Sequence, residues 1–197
     1  VARSLFRAVF FFPSIVPVVV TAFVWLFLLN VQYGAINSTL RGWGLQAIPF
    51  LSSPDLVKPS LVIIHMWAQG GAMVIFLAGL QGVPRHLMEA ALIDGANAWQ
   101  RFRHVTIPQI SPVIFFNLVM GMIGAMQVFS MAYIFQQADA AVDRQATMFY
   151  VLNIFNNAFI HDRFGLACAL AWLLFLATLV LTALQFVGSR KWVHYEA

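Results

Sequence analysis

From Gly165 to Val187 the chain runs without a single charged residue. About 20 apolar residues wound as a helix cover the hydrocarbon core of a bilayer, so this run reads as a membrane span. Three further stretches read the same way, at about 10–29, 61–80 and 113–135. The expected architecture is an all-α integral membrane bundle with four spans, one membrane domain over 1–197. Composition agrees: 61% of residues are hydrophobic and 9% charged, with a mean hydropathy of +0.83. That balance excludes disorder, and a soluble domain needs more charge to cover its surface. The net charge of +4 comes from scattered residues, too few to track a nucleic-acid backbone. A lone cysteine, Cys168, forms no internal disulfide and reads as a small buried or lipid-facing residue.

The first span contains Pro13 and Pro17 and is expected to kink near its start. Residues 30–60 hold Tyr33-Gly34, Asn37, Gly42, Gly44, Pro49, Pro54 and Pro59. Such a density of breakers denotes a loop, with a short helix at Ile36 to Arg41. Trp43 and Trp67 suit a membrane–water boundary. Met148 to Phe159 suits a short amphipathic surface helix. The chain starts at Val1 with no signal-peptide pattern, so a fragment or processed product is expected.

Gly82 to Pro112 is the longest polar interruption between apolar runs. Pro84 suits the first position of a helix reaching Asp94, with Leu87, Ala90, Ala91 and Leu92 forming an apolar stripe. Gly95 suits a left-handed C-terminal cap. Asn97 with Gln100 three residues on resembles a capping box opening a second short helix. Pro108 and Pro112 are expected to end that helix. The stretch therefore predicts two short helices hinged at Gly95. Counting basic residues orients it. Arg3, Arg7, Arg85, Arg101, Arg103, Arg190 and Lys191 lie on the side of this loop and the chain ends; Arg41, Lys58, Arg144 and Arg163 lie opposite. Seven against four puts the loop and both ends in the cytoplasm.

Glu89-Ala90-Ala91, then Gly95, then Val105-Thr106-Ile107-Pro108 resembles the EAA loop of permease subunits in binding-protein-dependent ABC importers. Val105 and Ile107 stand where the family pattern has Ile and Leu. Phe12-Pro13 with Pro17, Trp25, Asn30, Tyr33-Gly34, Asn37, Leu80-Gln81, Gln127-Val128-Phe129 and Phe164-Gly165 are similar to the sugar-type, maltose permease-like group. Members of that group have six or more spans, so two upstream spans are expected to be missing. The family's Gly-Gly-Pro segment is replaced here by Gln137-Ala138-Asp139-Ala140-Ala141.

The resemblance implies a multi-pass protein of a bacterial or archaeal inner membrane. It implies a second permease subunit, identical or homologous, a cytoplasmic ATPase dimer and an extracytoplasmic solute-binding protein. The coupling residues it implies are Glu89, Ala90, Ala91, Asp94, Gly95, Val105, Ile107 and Pro108. ATP and Mg would be held by the partner ATPase, and no catalytic or metal site is implied in this chain. The chain carries no Gly-x-x-x-x-Gly-Lys, Gly-x-Ser-x-Gly or His-Glu-x-x-His.

Polar residues inside spans tend to face a cavity or another helix. His65 and Gln69, one turn apart with Ala72 continuing their face, are path candidates. So are Asn117, Gly124, Gln127 and Ser130, with Gly121 on the same face. Interhelical hydrogen bonding and small-residue packing explain the same residues, and packing suits Gly121 and Gly124 better. An ion-coupled carrier would place ionisable groups at mid-span, and here only His65 qualifies. That carrier and a permease for another solute, such as glycerol phosphate, stay open as alternatives.

Overall fold

The computed structural model describes residues 2–139 and 141–194, with side chains from Leu5 onward. Among the described residues there are helices and no strands. Twelve α-helical segments run in order: α1 (Ala2–Ile15), α2 (Val18–Leu29), α3 (Ala35–Gly42), α4 (Pro54–Trp67), α5 (Gly70–Gly82), α6 (Arg85–Ile93), α7 (Ala98–Arg101), α8 (Ile107–Gln109), α9 (Ser111–Met126), α10 (Ser130–Ala138), α11 (Tyr150–Phe155) and α12 (Phe164–Ser189). Two π-helical turns, Phe102–Thr106 and Asn156–Ile160, follow α7 and α11.

By length and composition, Ser111–Ala138 and Phe164–Ser189 are long and apolar enough to cross a membrane. The number rises to four when each of two broken pairs, α1 with α2 and α4 with α5, counts as one span. Phe164–Ser189 has 26 residues, about 39 Å at 1.5 Å per residue, enough to cross with tilt.

The first expected span is not one kinked helix. Residues 5–15 and 18–29 form two helices bent by 98°. The physical cause is Pro17, whose ring drives Val16 out of the helical region and whose missing N–H breaks the ladder. The second expected span begins earlier than predicted, because Pro54 occupies the first turn of α4, where a proline is tolerated. Pro59 lies inside α4 rather than in a loop, and being close to the helix start it removes one bond only. That helix stops at Ala68–Gln69, where Ala68 N–H turns back to His65 O. The third expected span is interrupted at 127–129, between α9 and α10.

The chain divides into two compact units, residues 1–70 with 126–172 and residues 71–125 with 173–197. In the first unit the core takes Ala22, Leu26 and Leu29 from α2 and Val57, Leu61 and Ile64 from α4. Leu51, Phe135 and Val142 complete it. The spacing of three and four residues in α2 and α4 puts each set on one helix face. The opposite face of α2 remains apolar and exposed, as at Phe23 and Phe27, whereas α4 exposes Val62 and Ile63 together with Asp55, Lys58 and His65. A helix apolar all round, such as α2, suits a protein core or a membrane span.

Residues 30–53 close over this core through buried amides. Asn37 is fully buried; it donates to Asn30 O at 3.2 Å and Ile48 O at 3.0 Å, and accepts from Ile48 N–H at 2.7 Å. Asn30 accepts from the N–H groups of Gln32 and Tyr33 and donates to Asp139. The predicted short helix is present as α3. The predicted amphipathic helix after Met148 is α11 with its π turn, and it buries Leu152 and Ala158.

In the second unit α5 and α9 approach closely. A Cβ on Gly79 would lie 2.8 Å from Val113 Cγ2. Phe115 is buried edge-on to Phe186 at 5.0 Å and to Trp192 at 6.2 Å. Ser111 donates to Pro108 O at 2.6 Å and accepts from His194 N–H at 2.9 Å. Residues 189–194 are thereby tied to the end of the polar loop. Cys168 is exposed on α12.

Candidate functional site: the loop between Gly82 and Pro112

The loop is two helices joined by a turn that its own sequence specifies. Pro84 caps α6 from just outside rather than from its first position. At the far end Gly95 N–H bonds Leu92 O at 3.1 Å and Ala96 N–H bonds Ala91 O at 2.9 Å. That pair of bonds is a Schellman motif, with Gly95 at φ +79° in its left-handed position. A side chain there is strained by about 1–2 kcal/mol. The next residues restart a helix. Asn97 accepts from Gln100 N–H at 2.9 Å, and Gln100 Oε1 accepts from Asn97 N–H at 2.8 Å, a complete capping box. The chain thus turns a corner in four residues with its orphan backbone groups satisfied locally.

The second arm is longer than expected. Pro108 does not end it: α7 passes through the π turn into α8. The Ile107 N–H reaches Phe102 O, five residues back. Pro108 has no N–H, and its ring would collide with the carbonyl four residues earlier in a regular helix. Widening the turn removes that collision and keeps the arm continuous. Buried Thr106 then hydrogen-bonds Met88 Sδ at 3.9 Å, tying the second arm back onto the first.

Ala91, Asp94, Gly95, Ala96, Gln100, Arg101, His104 and Val105 line a cleft of about 370 Å³ between the arms. Four of the eight residues implied for coupling therefore share one concavity. Glu89, Ala90 and Ile107 are exposed, and Pro108 is half-buried. Arg101 Nε is buried without a hydrogen-bond partner. The predicted apolar stripe is only partly real: Leu87 and Ala91 are half-buried, but Ala90 and Leu92 face outward. Leu92, Ile93, Trp99 and Phe102 are all exposed, Ile93 to 86%. The rings of Trp99 and Phe102 lie 5.8 Å apart, tilted by 34°. Sequence reasoning passed over this rim; its signal was apolar residues placed at the corner of an otherwise polar loop.

The path candidates sit in different surroundings. His65 lies in the last turn of α4 and Gln69 in the break after it, so they do not share the continuous helix face, extended to Ala72, that the sequence suggested. Both are exposed. Asn117 returns its amide to Val113 O at 2.9 Å on its own helix. Gly121 and Gly124 are exposed, and a Cβ on either would meet nothing within 4 Å. Gln127 and Ser130 are exposed at the interruption between α9 and α10. In the first unit Phe129, Tyr133 and Phe155 form a ring cluster with centroids 5.1–5.4 Å apart. No group of three or more His, Cys, Asp or Glu able to hold a metal occurs among the described residues.

Apolar helices carrying an exposed, self-capped helical elbow define the class: a helical membrane protein with a structured polar loop. Residues 1–193 match the model of the binding-protein-dependent transport system inner membrane component family, and the chain belongs to that family. It is 37% identical over 196 residues to the probable ABC transporter permease protein YesP of Bacillus subtilis, covering 98% of this chain and 63% of the relative. It is 33% identical over 189 residues to the trehalose/maltose transport system permease protein MalF of Thermococcus litoralis, covering 95% and 63%. Identity to the sn-glycerol-3-phosphate transport system permease protein UgpA of Agrobacterium fabrum is 30% over 194 residues, covering 98% and 65%. The chain thus spans about two thirds of the length of these relatives. Its fold is that of a chain in the crystal structure of a bacterial alginate ABC transporter in complex with an alginate pentasaccharide-bound periplasmic protein. The TM-score there is 0.83 at 22% identity, over 96% of this chain and 66% of that one.

Proposed function

We propose that this chain is the core of a permease subunit in an ATP-driven importer for a carbohydrate or related polar solute. The observation that carries it is the elbow at Gly95, capped by its own residues, exposed, and bearing Glu89-Ala90-Ala91 on its first arm. A short rigid helix seated in a partner's cleft transmits a rigid-body shift when the partner has two discrete arrangements. Ala90 and Ala91 permit close approach, Glu89 offers a charged contact, and the Schellman turn keeps the angle between the arms. The Thr106–Met88 contact couples the arms, and α9, starting at Ser111, continues the second arm toward the span.

The partners are a cytoplasmic ATPase dimer that binds ATP and Mg, a second permease subunit and an extracytoplasmic binding protein. The elbow and the chain ends face the cytoplasm, in line with the basic-residue count. Uncharged hydrogen-bonding groups at His65, Gln69, Asn117, Gln127 and Ser130, with Gly124, provide the solute path. Sugar-transport relatives favour a carbohydrate; the glycerol-phosphate relative keeps an anionic polyol as a second reading.

The test is purification of the full-length protein from native membranes in mild detergent. A co-purifying P-loop ATPase, with uptake lost in Glu89→Lys and Gly95→Pro while membrane insertion persists, is the expected result. Normal uptake in both variants overturns the coupling role. Uptake that stops with uncouplers at constant ATP overturns the importer reading in favour of an ion-coupled carrier.

A further inference from the structure

Pro112 stands where a regular helix needs a donor. The carbonyl of Pro108 would accept from the N–H four residues on, and a proline there has none. Ser111 replaces it: its hydroxyl donates to Pro108 O at 2.6 Å, beside the bond from Ile110 N–H. The same oxygen accepts from His194 N–H at 2.9 Å, across 83 positions of sequence. Ser111 is 1% exposed, so water does not compete for either bond. One buried hydroxyl thus joins the end of the elbow's second arm, the start of α9 and the residues past α12.

Those residues are shaped to reach it. Trp192 N–H and Val193 N–H both turn back to Ser189 O, at 3.1 and 2.8 Å. Ser189 is buried, and its hydroxyl donates to Phe186 O at 2.8 Å. The turn brings Trp192 edge-on to Phe115, which lies one helical turn beyond Ser111 on the same face of α9. Phe186, from α12 itself, meets the same ring. α12 is therefore fastened to α9 at two levels, by packing at Phe115 and by hydrogen bonds at Ser111. Packed rings can slide; a bond through a buried hydroxyl has a set length and direction.

We infer that residues 189–194 are a strap that fixes α12 to the junction of the elbow and α9, so that displacement of the elbow is delivered to both helices. Ser111 is the positioning residue of the strap. Coupling between distant sites travels through hydrogen-bond networks and packed elements of this kind. The delivery of a displacement rests on the coupling role proposed above; the fastening rests on this chain's own contacts.

The test uses the full-length protein carrying Cys168→Ser, with nitroxides at Arg103→Cys on the second arm and Leu176→Cys on α12, both exposed positions. Pulsed electron resonance reads the distance between them. It is measured in the protein alone, then in complex with the ATPase, nucleotide-free and trapped with ATP and vanadate. One narrow distance, the same in all three states, is expected. Ser111→Ala should broaden the distribution at least about twofold and let it shift on trapping. His194→Pro should do the same by removing only the N–H of an exposed residue, without emptying any buried site. Trp192→Phe keeps a ring against Phe115 and should leave the distribution narrow. Distributions as narrow in Ser111→Ala and His194→Pro as in the parent overturn the strap. A parent distance that changes on trapping overturns the joint delivery. Failure of an ATPase to co-purify removes the importer reading, while the comparison of widths in the protein alone still decides the strap.

Discussion

Two polar, breaker-rich connections in this protein look alike in composition and behave differently. The stretch 30–53 turns inward. Asn37 and Asn30 satisfy backbone groups across it, and Arg41 Nη2 holds Val31 O and Gln32 O at 2.6 Å each. Gly34 is pressed so closely that a Cβ would lie 2.4 Å from Asn30 O. The stretch 82–112 turns outward. Its backbone groups are satisfied within a few residues, while Leu92, Ile93, Trp99 and Phe102 are left uncovered. A loop whose backbone groups are met locally, yet which shows apolar side chains, suits the partner contact proposed for it. A loop whose side chains reach back into the body is a lid on a core.

That contrast can be broken at its strongest point first. Gly34→Ala should destabilise the protein by about 3 kcal/mol, since backbone atoms cannot move aside. Thermal unfolding in detergent should show a midpoint lowered by several degrees, and an unchanged midpoint would show the inward loop to be looser than described. In the outward loop the expected effect falls on binding. The double variant Ile93→Ala, Trp99→Ala should weaken association with the proposed ATPase partner about tenfold, or about 1.4 kcal/mol, with the unfolding midpoint unmoved. Titration of the purified subunits checks this; unaltered affinity would mean that the rim is not the contact.

Asn97→Ala should cost about 1 kcal/mol of local helix stability by removing one half of the capping box. Faster amide exchange confined to residues 98–101 would register it, whereas a global change would mean that the elbow is not an independent unit. Smallest of all, Trp43→Ala should alter stability by no more than about 0.5 kcal/mol, because Trp43 is 75% exposed. A larger loss of stability in lipid than in detergent would assign Trp43 to the bilayer boundary.

The elbow was legible in the sequence because each of its devices is local. Gly95 needs a left-handed backbone, and Asn97 with Gln100 close a box three residues wide; both rules act over neighbours in the chain. The π turn before Pro108 was not legible, because a proline signals only that a regular helix fails. Whether the chain stops, kinks or widens there depends on what holds the far side, here Thr106 against Met88. Likewise the spacing of His65, Gln69 and Ala72 suggested one face, but the helix breaks at Ala68–Gln69. Helical periodicity cannot see a break made where two glycines begin the next helix and one of them, Gly70, receives the backbone of α1.

By sequence alone, this protein is all-helical, membrane-embedded and equipped with an EAA-type elbow, since apolar run length, capping chemistry and a dense motif are properties of short segments. Only the tertiary structure decided that α1 and α2 meet at 98°, that residues 30–53 are sewn inward by Asn30 and Asn37, and which faces of the elbow stay open. Pro17 breaks the helix locally, but the angle taken there and the other outcomes depend on contacts beyond chain neighbours, such as Gly70 against α1 and Asn30 with Asp139, where close packing and hydrogen-bond satisfaction choose among conformations that local preference allows.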